Sequence, residues 1–68
     1  MNELMAVEAA LFSAGRALDA TEVAEATGLS RNKAIGALDS IVELYKHREG
    51  ALEIVRLGHK YALQLKTE

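Results

Sequence analysis

The stretch EIVRLGHKYALQLK, residues 53–66, decides the fold, because its apolar residues alternate while those before it follow helical spacing. Gly58 and His59 interrupt the alternation as a two-residue loop with glycine first, a pattern typical of a type II′ hairpin turn. The resulting register runs from the pair Leu57–Lys60 to the pair Leu52–Leu65. The predicted core face carries Leu52, Ile54, Tyr61, Leu63 and Leu65, and the outer face carries Val55, Leu57 and Ala62 among Glu53, Lys60 and Gln64.

Three helices are predicted before this hairpin, over about residues 3–14, 20–27 and 31–48. Asp19 and Glu22 have the spacing of a capping box at the start of the second helix. The second and third helices are joined by a short turn containing glycine, which is typical of a helix-turn-helix. A short extended link, GRAL, precedes them. We therefore predict an α+β fold, a winged helix-turn-helix with three helices plus a C-terminal β-hairpin wing.

The apolar stripes of the helices give the predicted core. Helix one contributes Leu4, Met5, Val7, Leu11 and Phe12, helix two Val23, Ala24 and Thr27, and helix three Ala34, Ile35, Leu38, Ile41, Val42 and Tyr45. Glu8 lies inside or at the edge of the first stripe. Two interpretations of it are open: a carboxylate reaching water at the margin of the stripe, or a buried or interfacial pairing.

Composition limits how such a chain is stabilised. Sixty-eight residues form a small core, and the sequence contains no cysteine and only two histidines, so neither disulfides nor a structural metal is expected. Self-association or a further part of the chain is the remaining source of stability. The lack of cysteine, of a long apolar run and of an apolar leader predicts a cytoplasmic protein without a membrane segment.

Enzyme chemistry finds no support in the sequence. Neither histidine has a partner at a recognisable motif spacing, and no glycine-rich phosphate loop or H-E-x-x-H pattern occurs. We expect no catalytic residue, no cofactor and no metal. His59 at a turn tip and His47 near a helix C-terminus have ordinary structural explanations.

DNA binding is one functional alternative. Asn32 and Lys33 lie on the outward face of the third helix near its start, and Arg56 and Lys60 could bind phosphates. The formal net charge is −2, however, and residues 1–28 carry five acidic side chains against one arginine. Because acidic helices repel a phosphate backbone, direct DNA binding is expected to be weak or absent. Arg31 lies nearer the apolar face, where both a bond to a carboxylate such as Glu8 and a phosphate contact are open.

Surplus apolar surface favours the other alternative, a protein interface. A domain this small gains stability by association, so a two-fold dimer is expected. A contiguous set of exposed apolar residues would mark its interface. The predicted interface residues are Met5, Ala9, Leu44, Val55, Leu57 and Ala62.

Several segments resemble one known family over essentially the whole chain. VEAALFSAG, with a glutamate inside an apolar helix, and the ending ALEIVRLGHKYALQLK are the most specific, and LDATEVAEATGLS is weaker. Together they resemble the first winged-helix domain of the segregation and condensation protein B family. This resemblance implies a non-enzymatic condensin subunit that homodimerises and partners a kleisin and, through it, the structural-maintenance-of-chromosomes ATPase.

The resemblance also bears on domain organisation. Members of the family usually have two winged-helix domains, so residues 1–68 are expected to be a single domain forming the N-terminal half of a longer protein. The second domain contributes to kleisin contact in that family. One segment departs from the family pattern: LSRNKAIG has basic residues where acidic ones commonly start the third helix, and this keeps a DNA-binding transcriptional regulator as the alternative function.

Overall fold

The computed structural model describes residues 2–67, and within them it contains three helices and one antiparallel sheet. The predicted winged helix-turn-helix is confirmed. The elements are α1 (Glu3–Ala14), β1 (Leu18–Asp19), α2 (Ala20–Thr27), α3 (Arg31–Lys46), β2 (Leu52–Leu57) and β3 (Lys60–Leu65). The third helix is two residues shorter than predicted. The amides of His47 and Arg48 donate to the carbonyls of Leu44 and Tyr45 respectively, both i→i−3 bonds, which closes the last turn tightly.

Side-chain caps fix where the helices begin. Asp19 and Glu22 form the predicted capping box, with reciprocal backbone-to-carboxylate bonds of 2.8 and 2.9 Å. The backbone N–H of Asp19, followed by the Arg16 guanidinium, lowers the pKa of Glu22. Ser30 Oγ accepts from the amide of Lys33 at 3.2 Å and starts α3.

The hairpin has the predicted register, with six pairs from Leu52–Leu65 to Leu57–Lys60. Gly58 has φ of 66°, whereas no non-glycine residue in the described range has positive φ, so the turn has the type II′ rather than the I′ pattern. β1 adds to the other side of β3 through the pairs Leu18–Tyr61 and Asp19–Lys60. The strand order β1-β3-β2 therefore places the last strand in the middle of the sheet.

Only part of the predicted wing core face is buried. Ile54 and Tyr61 are buried and Leu63 packs against the core, but Leu52 is 39% and Leu65 69% exposed. Both residues lie on the predicted face, but they form the pair farthest from the turn, beyond the surface that the helices cover. The prediction that they belong to the core is wrong.

The core itself lies between the three helices and the sheet. It consists of Val7, Leu11, Leu18, Ala20, Val23, Ala34, Ala37, Leu38, Ile41, Tyr45, Ile54 and Tyr61, with Leu4, Ala24, Leu29, Ile35, Val42 and Leu63 packed against it. No helix in the described range is long and apolar enough to cross a membrane.

Candidate protein-interaction surface

The outer half of α1 is apolar and uncovered. Val7 and Leu11 are fully buried, whereas Met5 is 53% and Phe12 73% exposed. At about 100° per residue, both lie more than 100° away from the line through Val7 and Leu11. The prediction that Met5 and Phe12 join the core stripe is therefore wrong, since one helix face cannot hold all five apolar residues.

These exposed side chains form a stripe of their own. Met5, Ala9 and Phe12 follow the i, i+4, i+7 spacing of one helix face, and all three are exposed. We call this set the α1 stripe. The outer face of α3 is different in kind, because it carries charged and polar side chains such as Lys33, Ser40 and Glu43. A helix that is apolar on all sides is normally buried on all sides, so the exposed apolar face of α1 is expected to be covered by another chain.

A shallow groove of about 770 Å³ between α1 and α2 borders the α1 stripe. Ala9 belongs to both, and further alanines line the groove floor beside Glu22 and Glu25. Because alanine side chains are short, another element can approach the α1 backbone closely here. The apolar surface thus extends around α1 from the stripe to the α2 side.

The other predicted interface residues lie on α3 and the wing. Leu44 is 53% and Leu57 57% exposed, while Val55 and Ala62 are half-buried and face each other across the hairpin. The structure does not bring all six residues into one patch. Met5 and Ala9 belong to the α1 stripe, and Val55, Leu57 and Ala62 share the outer face of the wing, which is a second surface.

A polar cluster joins α1 to the end of α3 beside the core. The Tyr45 hydroxyl donates to the Glu8 carboxylate, and Arg48 lies 3.6 Å from that carboxylate and 5.1 Å from the Tyr45 ring centre. Desolvation, followed by the hydrogen bond to Glu8, raises the pKa of Tyr45. Glu8 combines elements of both interpretations, because its side chain is 36% exposed while its carboxylate pairs with Tyr45 and Arg48 between α1 and the end of α3. The same cluster shows that the suggested bond between Arg31 and Glu8 is wrong, since Arg31 Nε donates to Thr21 Oγ1 at 3.2 Å.

The four residues of the DNA-binding alternative are dispersed. Asn32 and Lys33 are exposed at the start of α3, and Lys33 lies 3.8 Å from Glu3. Arg56 donates to the Gly58 carbonyl at 3.2 Å and lies over the Tyr61 ring, on the face opposite the one that carries Lys60. Tyr61 also donates to Asp39 at 3.4 Å, and its pKa is raised by desolvation and then by the Asp39 charge.

Phe12 belongs to the candidate surface but is absent from the interface residues predicted from the sequence. A usable signal was present, since ELMAVEAALFSA contains only three polar residues and hence more apolar surface than one stripe needs. Within residues 2–67, no group of three or more His, Cys, Asp or Glu is placed to hold a metal ion.

Fold and surface together define a winged-helix protein with an uncovered apolar face on α1. The family described as "Segregation and condensation complex subunit ScpB" matches residues 5–68. The chain therefore belongs to the ScpB family, and this confirms the resemblance found in the sequence. The family description is that of a complex subunit and names no reaction.

A solved structure supports the same assignment. It is the "dimer of ScpB N-terminal domain complexed with ScpA peptide", which is 26% identical in sequence and superposes with a TM-score of 0.81. The similarity covers 94% of this chain and 80% of that one. No match was found among curated proteins.

Proposed function

We propose that this chain is a non-enzymatic subunit of a prokaryotic condensin complex that homodimerises and binds a kleisin, which links it to the structural-maintenance-of-chromosomes ATPase. The single observation that carries the proposal is the uncovered apolar half of α1, with Phe12 and Met5 more than half exposed. Family membership supplies the type of complex, and the related dimer with a ScpA peptide supplies the kinds of partner. Such a protein would act in the cytoplasm on the nucleoid.

The α1 stripe is proposed as the dimer surface. A two-fold interface uses the same patch on both copies, so one stripe packs against another. The residues of the α1 stripe are apolar and uncharged, so the stripes of two copies do not repel each other. The centre of a protein interface is likewise depleted of charged residues. The outer face of the wing, with Val55, Leu57 and Ala62, remains free for the kleisin segment, and Leu44 lies outside both surfaces.

Two substitutions separate the two surfaces. In light scattering at micromolar concentration, Phe12→Lys is expected to give a monomer, whereas Leu57→Lys should leave the dimer intact. In calorimetric titration with the kleisin of the same organism, Leu57→Lys is expected to weaken binding. A dimer that survives Phe12→Lys with unchanged affinity would contradict the placement on α1. Leu65→Lys is the matched control, because Leu65 is 69% exposed and belongs to neither surface.

The domain arrangement is part of the proposal. In the family, two winged-helix domains are usual, and we propose that residues 1–68 correspond to the first. A second domain would add kleisin contacts, so joining it to this chain is expected to raise kleisin affinity without changing the dimer.

A further inference from the structure

The cations of this chain fall into two groups. Arg16, Lys33, Lys46 and Arg48 each lie within 4.0 Å of a carboxylate. Within residues 2–67, the other four, Lys60, Lys66, Arg31 and Arg56, have no such partner, and of these the two arginines are exposed. These two side chains come from distant parts of the sequence but line one cavity of about 190 Å³. His59, at the tip of the wing, lines it as well.

Both guanidinium groups are held in place through their Nε atoms. Arg31 Nε donates to Thr21 Oγ1 at 3.2 Å, and Arg56 Nε donates to the Gly58 carbonyl at 3.2 Å. Arg56 is further oriented by the Tyr61 ring, whose centre is 5.6 Å from its guanidinium carbon. Within the described chain, the terminal amino groups of both arginines make no hydrogen bond, which leaves them available to a ligand. Planar guanidinium groups oriented in this way bind carboxylate or phosphate oxygens by two parallel bonds.

The local charge favours an anion. Asp19 is the one carboxylate that lines the cavity, and its side chain already accepts the Glu22 amide at 2.8 Å. Asp39 accepts from the Tyr61 hydroxyl at 3.4 Å and lines a different cavity, which Arg56 and Tyr61 border as well. Arg31 and Arg56 therefore line this cavity with no carboxylate within 4.0 Å of either among the described residues.

We propose that this corner, formed by Arg31, Arg56 and His59, contacts a backbone phosphate of duplex DNA. The cavity is open and its cations are exposed, so a single free phosphate would bind only weakly. Duplex DNA, a polyanion, would bind more tightly, because each of its phosphates that contacts the protein releases condensed counterions. The start of α3 and the turn of the wing flank the cavity, which places two chain segments along one path of the duplex. The contact involves no base edges and is therefore independent of sequence.

This site is separate from the α1 stripe and does not depend on the proposed dimer. The acidic residues of α1 and α2 limit its strength, so the expected dissociation constant is about 10–100 μM at low salt, within the range of non-specific binding. The logarithm of affinity should fall with the logarithm of salt concentration, with a slope of about −0.9 for each phosphate contacted.

The test is a fluorescence anisotropy titration of the 68-residue chain with a labelled 20-base-pair duplex at 50 and 200 mM salt. The double variant Arg31→Ala/Arg56→Ala is expected to bind at least about tenfold more weakly at 50 mM salt and to show a shallower salt slope. The double variant Lys46→Ala/Lys66→Ala removes the same charge elsewhere and should bind nearly as the unaltered chain does. Equal losses in the two double variants, or none in the first, would overturn the proposal.

A second measurement avoids dependence on variant folding. Amide chemical shifts of the unaltered chain are recorded during titration with the duplex and, separately, with inorganic phosphate. Shifts concentrated at Thr21, Arg31, Gly58 and His59 with DNA support the proposal. Shifts elsewhere, or shifts produced by phosphate and not by DNA, would overturn the assignment to a DNA backbone, and so would equally tight binding of poly-glutamate.

Discussion

Replacing Phe12 with alanine tests the dimer surface most directly. The Phe12 side chain is 73% exposed in the single chain, so about three quarters of its surface can still be removed from water. Full burial of a phenylalanine stabilises by about 1.5–3 kcal/mol. Because a two-fold dimer contains two copies, the loss should be about 2–4 kcal/mol of association free energy. This corresponds to a dissociation constant raised by about 30-fold to 700-fold, at about 1.4 kcal/mol per factor of ten.

Sedimentation equilibrium over a wide concentration range measures this constant. The same variant should change the free energy of unfolding of the single chain by less than about 0.5 kcal/mol, since little of Phe12 is buried there. Leu65→Ala provides the control, with a comparable exposed fraction on another element. If Phe12→Ala leaves the dissociation constant within about threefold of the original value, the reasoning from uncovered apolar surface is refuted.

Three further predictions concern stability. Tyr45→Phe removes the bond to Glu8, and urea denaturation should show a loss of about 1–2 kcal/mol; an unchanged midpoint would mean that the cluster does not stabilise the contact between α1 and α3. Burial raises the pKa of Tyr45 and Tyr61, so above about pH 10 the unfolded chain loses these protons before the folded chain does. The free energy of unfolding should therefore fall as pH rises. The double variant Tyr45→Phe/Tyr61→Phe should show a smaller fall in denaturation curves recorded between pH 8 and 11. Gly58→Ala forces a side chain into φ of 66° and should cost about 1 kcal/mol in thermal unfolding followed by circular dichroism, whereas Ala at the exposed helical Gly36 should not destabilise.

Most of the fold follows from local patterns. Strict alternation around Gly58 determined the hairpin register, and the Asp19–Glu22 spacing determined where α2 begins, because both depend on interactions between residues close in sequence. Burial was harder to predict. Leu52 and Leu65 lie on the correct face but beyond the helical layer, and the extent of that layer depends on how the whole chain packs.

In the candidate sites, too, features set by local sequence could be predicted and features set by tertiary packing could not. Surplus apolar surface on α1 could be recognised from its composition, although Phe12 lies on the side of the helix opposite to the predicted one. The pairing of Arg31 and Arg56 at one cavity could not be recognised, since they are 25 positions apart and belong to different elements. Each also needs a local anchor, Thr21 for one and the Gly58 carbonyl for the other.

The central position of β3 has a consequence for synthesis on the ribosome. Both other strands pair with β3, and β3 is translated after the other five elements of this domain. Until residues 60–65 have left the exit tunnel, β1 and β2 have no neighbour, and the buried face of Tyr61 is missing from the core. We therefore expect the nascent chain to remain a loose helical assembly during elongation and to become protected from protease in one step once β3 is released.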